Sequence, residues 1–120
     1  MTDPAPSPAA AHAERPTPYA MMPGVLPSIL DAIGETPIVR LGAIAAGVEA
    51  QLLAKVEYFN PGGSVKDRIG IRIVRDYEER GLLRPGGTIV EATSGNTGVG
   101  LAIAAALRGY RAIFVMPDKM

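Results

Sequence analysis

One lysine of this sequence lies at a position that could favour a reactive, uncharged amine. Lys66 follows a glycine-containing turn at 60–63 and falls in the first turn of a helix that Ser64 is predicted to cap. The positive end of a helix dipole disfavours an ammonium group there, by roughly 0.3–1 kcal/mol. That effect is too small to make Lys66 a nucleophile, so burial would have to add to it. A charge that conflicts with its local position is typical of functional sites, although a surface lysine reaching into water fits the same position.

A second segment with chemical potential follows a predicted strand and opens a predicted helix. It reads Thr93, Ser94, Gly95, Asn96, Thr97 and Gly98. Free backbone N–H groups and small hydroxyls at a helix start suit a carboxylate or a phosphate. An ordinary strand-to-helix turn would carry the same residue types. The glycine order through Gly100 is G-x-x-G-x-G, so a nucleotide-binding α/β domain would rest on a loop of the wrong spacing.

Hydrophobic periodicity and turn residues predict the elements that position these segments. A short helix capped by Ser28 is expected at 29–33, followed by an antiparallel pair of strands at 36–41 and 52–59. A helix at 64–80, a strand at 88–91, a second helix at 99–108 and a strand at 112–116 are expected to follow. Almost wholly apolar strands alternating with helices indicate an α/β fold whose parallel sheet is covered on both faces, a three-layer arrangement. The first long helix is expected to bury a stripe recurring every four residues: Val65, Ile69, Ile73 and Tyr77.

Composition excludes several functional classes. Lys plus Arg and Asp plus Glu both number 12, so no basic excess points to nucleic acid or an anionic membrane. The absence of cysteine rules out disulfides and thiolate metal sites within these residues, and His12 is the one histidine, so no metal site is predicted. No apolar run approaches the roughly 20 residues of a membrane span, and no secretory signal is recognisable, so a cytoplasmic location is predicted. Residues 1–27, rich in Pro and Ala, are predicted to form a flexible arm preceding a domain at 28–120.

The two segments, in this order and about thirty residues apart, resemble the hallmark segments of the fold-type II pyridoxal-phosphate (PLP) enzymes. Residues 60–68 match the cofactor-lysine motif of the cysteine synthase/cystathionine β-synthase family at every position, and residues 93–98 match its Asn-containing substrate loop. The flanks 33–41, 108–111 and 115–117 agree as well. The resemblance covers about residues 29–120 and implies the N-terminal domain of such an enzyme, expected to be truncated here because more strands are needed to complete the sheet.

The resemblance also implies roles for individual residues. Lys66 would bond PLP covalently and carry the proton at the substrate α-carbon, and Asn96 would hydrogen-bond the 3-hydroxyl of the PLP ring. The substrate carboxylate would be held by Thr93, Ser94, Gly95 and Thr97. Asp67 and Arg68 would hold the helix start in place rather than react. The implied reaction is β-replacement on serine or O-acetylserine by a thiol, either sulfide or homocysteine, in a homodimer of the complete protein.

Several alternatives stay open at this point. The family's phosphate loop and the residue that faces the pyridine nitrogen would lie downstream, so the 120 residues are expected to be inactive alone. A non-catalytic fragment or an interaction module is therefore the alternative to an enzyme. Cystathionine β-synthase and cysteine synthase are not separated, although 108–120 leans slightly to the former. Val65 before the lysine counts against threonine synthases and dehydratases, which usually carry Phe there. Some cystathionine β-synthases bind heme through an N-terminal Cys and His. Because this chain has no cysteine and its one histidine, His12, falls in the predicted arm, no heme is predicted.

Overall fold

The computed structural model describes residues 24–118, which form a small α/β unit. The elements are a 3-10 helix Ile29–Ala32, strands β1 Ile38–Arg40 and β2 Leu53–Lys55, a 3-10 helix Glu57–Phe59, helix α1 Lys66–Glu79, strand β3 Thr88–Ala92, helix α2 Asn96–Arg108 and strand β4 Arg111–Val115. Most of the predicted arm, residues 1–23, lies outside the described residues. The division into an arm and a domain at residue 28 therefore stays a prediction.

The first short helix begins where its capping residue predicts. The Ser28 side chain accepts a hydrogen bond from the Leu30 N–H at 3.2 Å, and Asp31 Oδ2 accepts one from the Ser28 N–H at 3.1 Å. This reciprocal capping box satisfies N–H groups that a helix leaves free. Gly34 follows with a φ of 97°, a conformation that favours glycine. The predicted cap by Ser28 is confirmed, although the helix is of the 3-10 type.

The predicted antiparallel pair is confirmed in a shorter form. β1 pairs with β2 so that Val39 lies opposite Ala54. The second strand does not continue to Phe59 as predicted, because the chain turns into a 3-10 helix at Glu57. The Glu57 carboxylate accepts hydrogen bonds from residues on three other segments, and these bonds hold the chain in the turn instead of an extended strand.

Helices α1 and α2 cross at a point of backbone contact. A Cβ placed on Gly70 would meet the Gly100 backbone at less than contact distance, and one placed on Gly100 would lie 2.7 Å from the Lys66 carbonyl oxygen. Only glycine permits this separation. Below the crossing, the hydrophobic core consists of Leu30, Ile71, Val74, Leu101 and Ala104.

The predicted core stripe of α1 is wrong. Its residues, Val65, Ile69, Ile73 and Tyr77, are between 38% and 47% exposed. The buried residues of α1 are instead Asp67, Gly70, Ile71 and Val74. These follow the three-and-four spacing of a helix face, and the Gly70–Gly100 crossing directs that face towards α2.

Strands β3 and β4 form a parallel pair, as predicted, with Val90 opposite Ile113. Ile89 and Phe114 pack against the core on one face of this pair. The other face is open within residues 24–118, since Val90 is 63% and Val115 is 58% exposed. The α/β class is confirmed, whereas the described residues form two two-stranded sheets and not a sheet covered on both faces. No helix among the described residues is long and apolar enough to span a bilayer.

Candidate active site

Lys66 is the first residue of α1 and is half-buried. The preceding turn is closed by the Gly63 N–H, which donates to the Asn60 carbonyl at 2.7 Å, and Gly63 has a φ of 76°. The Ser64 hydroxyl accepts from the Lys66 N–H at 3.2 Å. Ser64 thus satisfies a free N–H of the helix start, as predicted, although Val65 is the residue at the N-cap position.

The residue after Lys66 is fully buried. Asp67 has no exposed surface, and its Oδ2 accepts from the Gly62 N–H at 2.5 Å. Gly62 has no space for a Cβ, because the Asp67 carboxylate lies against its Cα. The predicted role of Asp67 in holding the helix start agrees with this contact to Gly62.

Arg68 is bound to three residues, on two segments that precede it in the chain. Its Nε donates to Glu57 Oε2 at 2.9 Å, and its Nη2 donates to Glu57 Oε1 at 2.9 Å and to the Gly34 carbonyl at 2.8 Å. Thr36 Oγ1 lies 3.2 Å from Nη2 and itself donates to Glu57 Oε1. These contacts agree with the predicted structural role of Arg68. Glu57 was not predicted from the sequence, where its only signal is a carboxylate spaced eleven residues from Arg68.

Charge pairing changes the ionisation of this cluster. The Arg68 guanidinium, bonded to the carboxylate, lowers the pKa of Glu57 from 4.5 to about 2, and Asn60 and Thr36 contribute further hydrogen bonds. Glu57 in turn raises the pKa of Arg68. Both groups are therefore charged throughout the neutral range.

The second predicted segment forms the start of α2. The helix begins at Asn96 and not at Val99 as predicted, so Asn96 and Thr97 occupy its first turn. The first N–H groups of a helix have no acceptor within the helix, which leaves them available to a ligand. Gly95 before them has open space above its Cα, and its N–H lies 3.4 Å from Thr93 Oγ1. The Thr93 methyl group packs against Gly98, in the space that a side chain at position 98 would need.

The crossing of the helices brings the two predicted segments together. Because the Lys66 carbonyl lies against Gly100, the first turn of α1 contacts the second turn of α2. Asn96 precedes Gly100 by four residues and thus occupies the same face of α2, one turn closer to its start. Lys66, Thr93 and Thr97 are half-buried, whereas Ser94, Gly95 and Asn96 are exposed. The first turn of α1, which carries Lys66, therefore lies against a helix whose start is rich in N–H and hydroxyl donors.

These donors fit PLP and an amino-acid substrate. A primary amine can bond the aldehyde carbon of PLP, and free N–H groups with hydroxyls can hold a carboxylate. The open space above Gly95 leaves room for a ligand to approach the backbone. Within residues 24–118 no group of three or more His, Cys, Asp or Glu residues is placed to hold a metal ion. His12 lies outside the described residues, so the prediction of no heme is untested.

A second ionic cluster joins the C-terminal ends of α1 and α2. Glu78 accepts from Arg108 Nε at 2.7 Å, from Arg108 Nη2 at 2.5 Å and from the Tyr110 hydroxyl at 2.6 Å. Burial alone would raise the pKa of Glu78, but the hydrogen bonds from Arg108 and Tyr110 outweigh it and the pKa is lowered. Burial, together with the bond to Glu78, raises the pKa of Tyr110 to about 12. This cluster was not predicted from the sequence and lies away from Lys66.

Comparison with known protein families defines the class of this chain. The profile of the family described as "Pyridoxal-phosphate dependent enzyme" matches residues 29–120. The chain therefore belongs to the pyridoxal-phosphate dependent enzyme family, as the resemblance in its two segments implied.

Individual members of the family show which proteins this chain is similar to. The chain is 59% identical over 103 residues to the cystathionine beta-synthase of Oryctolagus cuniculus, covering 84% of this chain and 19% of that protein. It is 52% identical over 96 residues to a probable cysteine synthase of Bacillus subtilis, covering 80% of this chain and 31% of that protein. A solved hydrogen sulfide-producing enzyme from Fusobacterium nucleatum matches with a TM-score of 0.73 and 43% identity, over 78% of this chain and 30% of that one. The chain thus spans between about a fifth and a third of the length of these proteins.

Proposed function

We propose that this chain forms the lysine-bearing part of an enzyme that carries out β-replacement on serine or O-acetylserine with a thiol. The observation that supports the proposal is the contact of the Lys66 carbonyl with Gly100, because it brings the first turn of α1, which carries Lys66, against the helix that begins at Asn96. The similarity to cystathionine beta-synthases and to a cysteine synthase supports homocysteine or sulfide as the thiol.

Each site residue has a role in this proposal. Lys66 bonds PLP and, once released, moves the proton at the substrate α-carbon. The Asn96 amide orients the PLP ring through its 3-hydroxyl. The substrate carboxylate is held by N–H and hydroxyl groups of Thr93, Ser94, Gly95 and Thr97. PLP, when bound, supplies the electron sink that stabilises negative charge at the α-carbon.

The proposed activity belongs to a longer polypeptide. The groups that hold the PLP phosphate and face its ring nitrogen are expected beyond this segment. Two exposed apolar surfaces support this view: the outer face of the β3–β4 pair and the α1 stripe of Val65, Ile69, Ile73 and Tyr77. Soluble single-domain proteins rarely leave contiguous apolar patches of this kind uncovered. The same surfaces favour the second candidate, a non-catalytic fragment that binds a partner, if the chain occurs naturally by itself. A homodimer of the complete protein is part of the proposal.

Covalent trapping tests the assignment of Lys66. The longest polypeptide encoded by the reading frame that contains these codons is mixed with PLP, reduced with borohydride and digested for mass spectrometry. The PLP adduct is expected on the peptide containing Lys66 and not on those containing Lys55 or Lys119. The Lys66→Ala variant is expected to lose both the adduct and the visible absorbance of lysine-bound PLP. An adduct on another lysine, or absorbance retained in Lys66→Ala, would remove Lys66 from its proposed role.

A comparison of substrate pairs distinguishes cystathionine formation from cysteine formation. Purified polypeptide is supplied with serine or O-acetylserine, each with sulfide or homocysteine, and the products are identified by mass. Formation of cystathionine alone supports the activity of the rabbit relative, and formation of cysteine alone supports that of the bacterial one. Asn96→Ala is expected to keep the PLP adduct and lose turnover, and unchanged kinetics would exclude Asn96 from the site.

A further inference from the structure

We propose that Glu57 is a positioning residue for Lys66, holding both ends of the Lys66 turn through a single carboxylate. The Lys66 turn is defined here as residues 60–68. This inference rests on the proposed function, because it assigns Glu57 a part in placing the proposed cofactor lysine.

The two ends of the turn meet on the same oxygen. Glu57 Oε2 accepts from Asn60 Nδ2, at the start of the turn, and from Arg68 Nε, at its end, each at 2.9 Å. Glu57 Oε1 accepts from Arg68 Nη2 at 2.9 Å and from Thr36 Oγ1 at 3.0 Å. One side chain therefore fixes the separation of two residues that lie on either side of Lys66.

Both end residues also make hydrogen bonds outside the turn, so a movement of the turn would break several hydrogen bonds at once. Asn60 is 3% exposed, and its Oδ1 accepts from the Gly34 N–H at 2.9 Å. Arg68 donates to the Gly34 carbonyl at 2.8 Å, so the same glycine is bound from both ends. Inside the turn, the Asp67–Gly62 hydrogen bond forms a second and shorter closure. Lys66 lies inside both closures, so its backbone position depends on them.

The chemistry of the cluster requires a carboxylate at position 57. All four groups that bond its side-chain oxygens are donors, two from Arg68 and one each from Asn60 and Thr36. A glutamine in this place would direct its own NH₂ group at a donor, so the nearly isosteric change Glu57→Gln breaks the network. An aspartate keeps a group that only accepts, although it is shorter by one methylene.

The Glu78 cluster, at the C-terminal ends of α1 and α2, offers a matched control. The Glu78 carboxylate likewise acts only as an acceptor, for hydrogen bonds donated by Arg108 and Tyr110. Glu78→Gln therefore disrupts a comparable ion pair and lowers stability without touching the Lys66 turn. A purely global effect of losing an ion pair would be the same in both variants.

The experiment measures the PLP dissociation constant and amide hydrogen exchange in the longest polypeptide of this reading frame. For comparison, loss of a group that orients a metal ligand typically costs about 10–100-fold in metal affinity. We expect Glu57→Gln to weaken PLP binding about tenfold or more, Glu57→Asp to weaken it less, and Glu78→Gln to leave it unchanged. Exchange across 60–68 should accelerate in Glu57→Gln and stay as in wild type in Glu78→Gln.

The outcomes separate this inference from the proposed function. Wild-type affinity in Glu57→Gln, or equal weakening in Glu57→Gln and Glu78→Gln, overturns the positioning role. If the wild-type polypeptide forms no PLP adduct at Lys66, the proposed function fails, and hydrogen exchange still decides whether Glu57 holds the turn. Unaltered exchange over 60–68 in Glu57→Gln overturns the inference whether or not PLP binds.

Discussion

Replacement of Gly100 by alanine tests whether the helix crossing places Lys66. The added Cβ would lie 2.7 Å from the Lys66 carbonyl oxygen and 3.1 Å from the Asp67 Cα, where ordinary contacts begin at 3.4 Å. Restoring an ordinary contact to the carbonyl requires a movement of about 0.7 Å. Because both contacts are to backbone, the first turn of α1 has to move as a unit, carrying Lys66 with it.

This movement is expected to affect activity more than stability. Overpacking of a buried site costs about 1–3 kcal/mol. Alanine regains about 1 kcal/mol because it favours a helix interior over glycine. The net loss of folding free energy is thus at most about 2 kcal/mol. A misplacement of about 1 Å can reduce a catalysed rate about 100-fold, so we expect kcat/KM to fall roughly 10–100-fold.

The assay compares urea denaturation with kcat/KM and with the absorbance of lysine-bound PLP in the same polypeptide. Gly42→Ala is the control, because Gly42 has open space above its Cα and no left-handed φ. The control is expected to match wild type in all three measurements. Wild-type activity in Gly100→Ala would show that the position of Lys66 does not depend on the crossing and would refute the reasoning.

Three further predictions concern stability. Leu101 is 1% exposed in the core, so Leu101→Ala should lower the free energy of unfolding by about 2–5 kcal/mol, measured by urea denaturation. Because folding lowers the pKa of Glu57 from 4.5 to about 2, its stabilisation is complete above pH 4.5 and is lost as pH falls towards 2; acid titration of wild type against Glu57→Gln should show this difference. Tyr110→Phe removes a hydrogen bond to a charged group and should cost about 1.5–3 kcal/mol at neutral pH. Because folding raises the Tyr110 pKa from 10.0 to about 12, wild type alone should lose this stabilisation as pH rises across that interval.

Local signals were sufficient to predict the elements that carry the site. Ser28 marks the helix start that the structure shows, because capping depends on residues close in the chain. The starts of both long helices were placed within three residues, and α2 begins earlier because its glycine loop is part of its first turn.

The remainder depends on contacts between distant residues. The α1 face was assigned to the more apolar stripe, whereas the buried face contains Asp67 and Gly70. Hydrophobicity alone could not select that face, because its burial follows from a backbone crossing at Gly100 and a hydrogen bond to Gly62. The Glu57 cluster was missed for a similar reason, since Gly34, Thr36 and Arg68 meet across up to 34 residues of chain.

The placement of Lys66 thus results from two constraints that act from different sides. Glu57 holds the turn from the side of the β1–β2 pair, and Gly100 bounds it from the side of α2. If both fix the same coordinate, releasing one should relieve the effect of the other. The destabilisation of the Glu57→Gln/Gly100→Ala double variant should then be smaller than the sum for the single variants, because a loosened turn can move away from the new methyl group. A double-mutant cycle by urea denaturation measures this coupling. Strict additivity would mean that the two contacts restrain independent parts of the chain and that the Lys66 turn does not move as a unit.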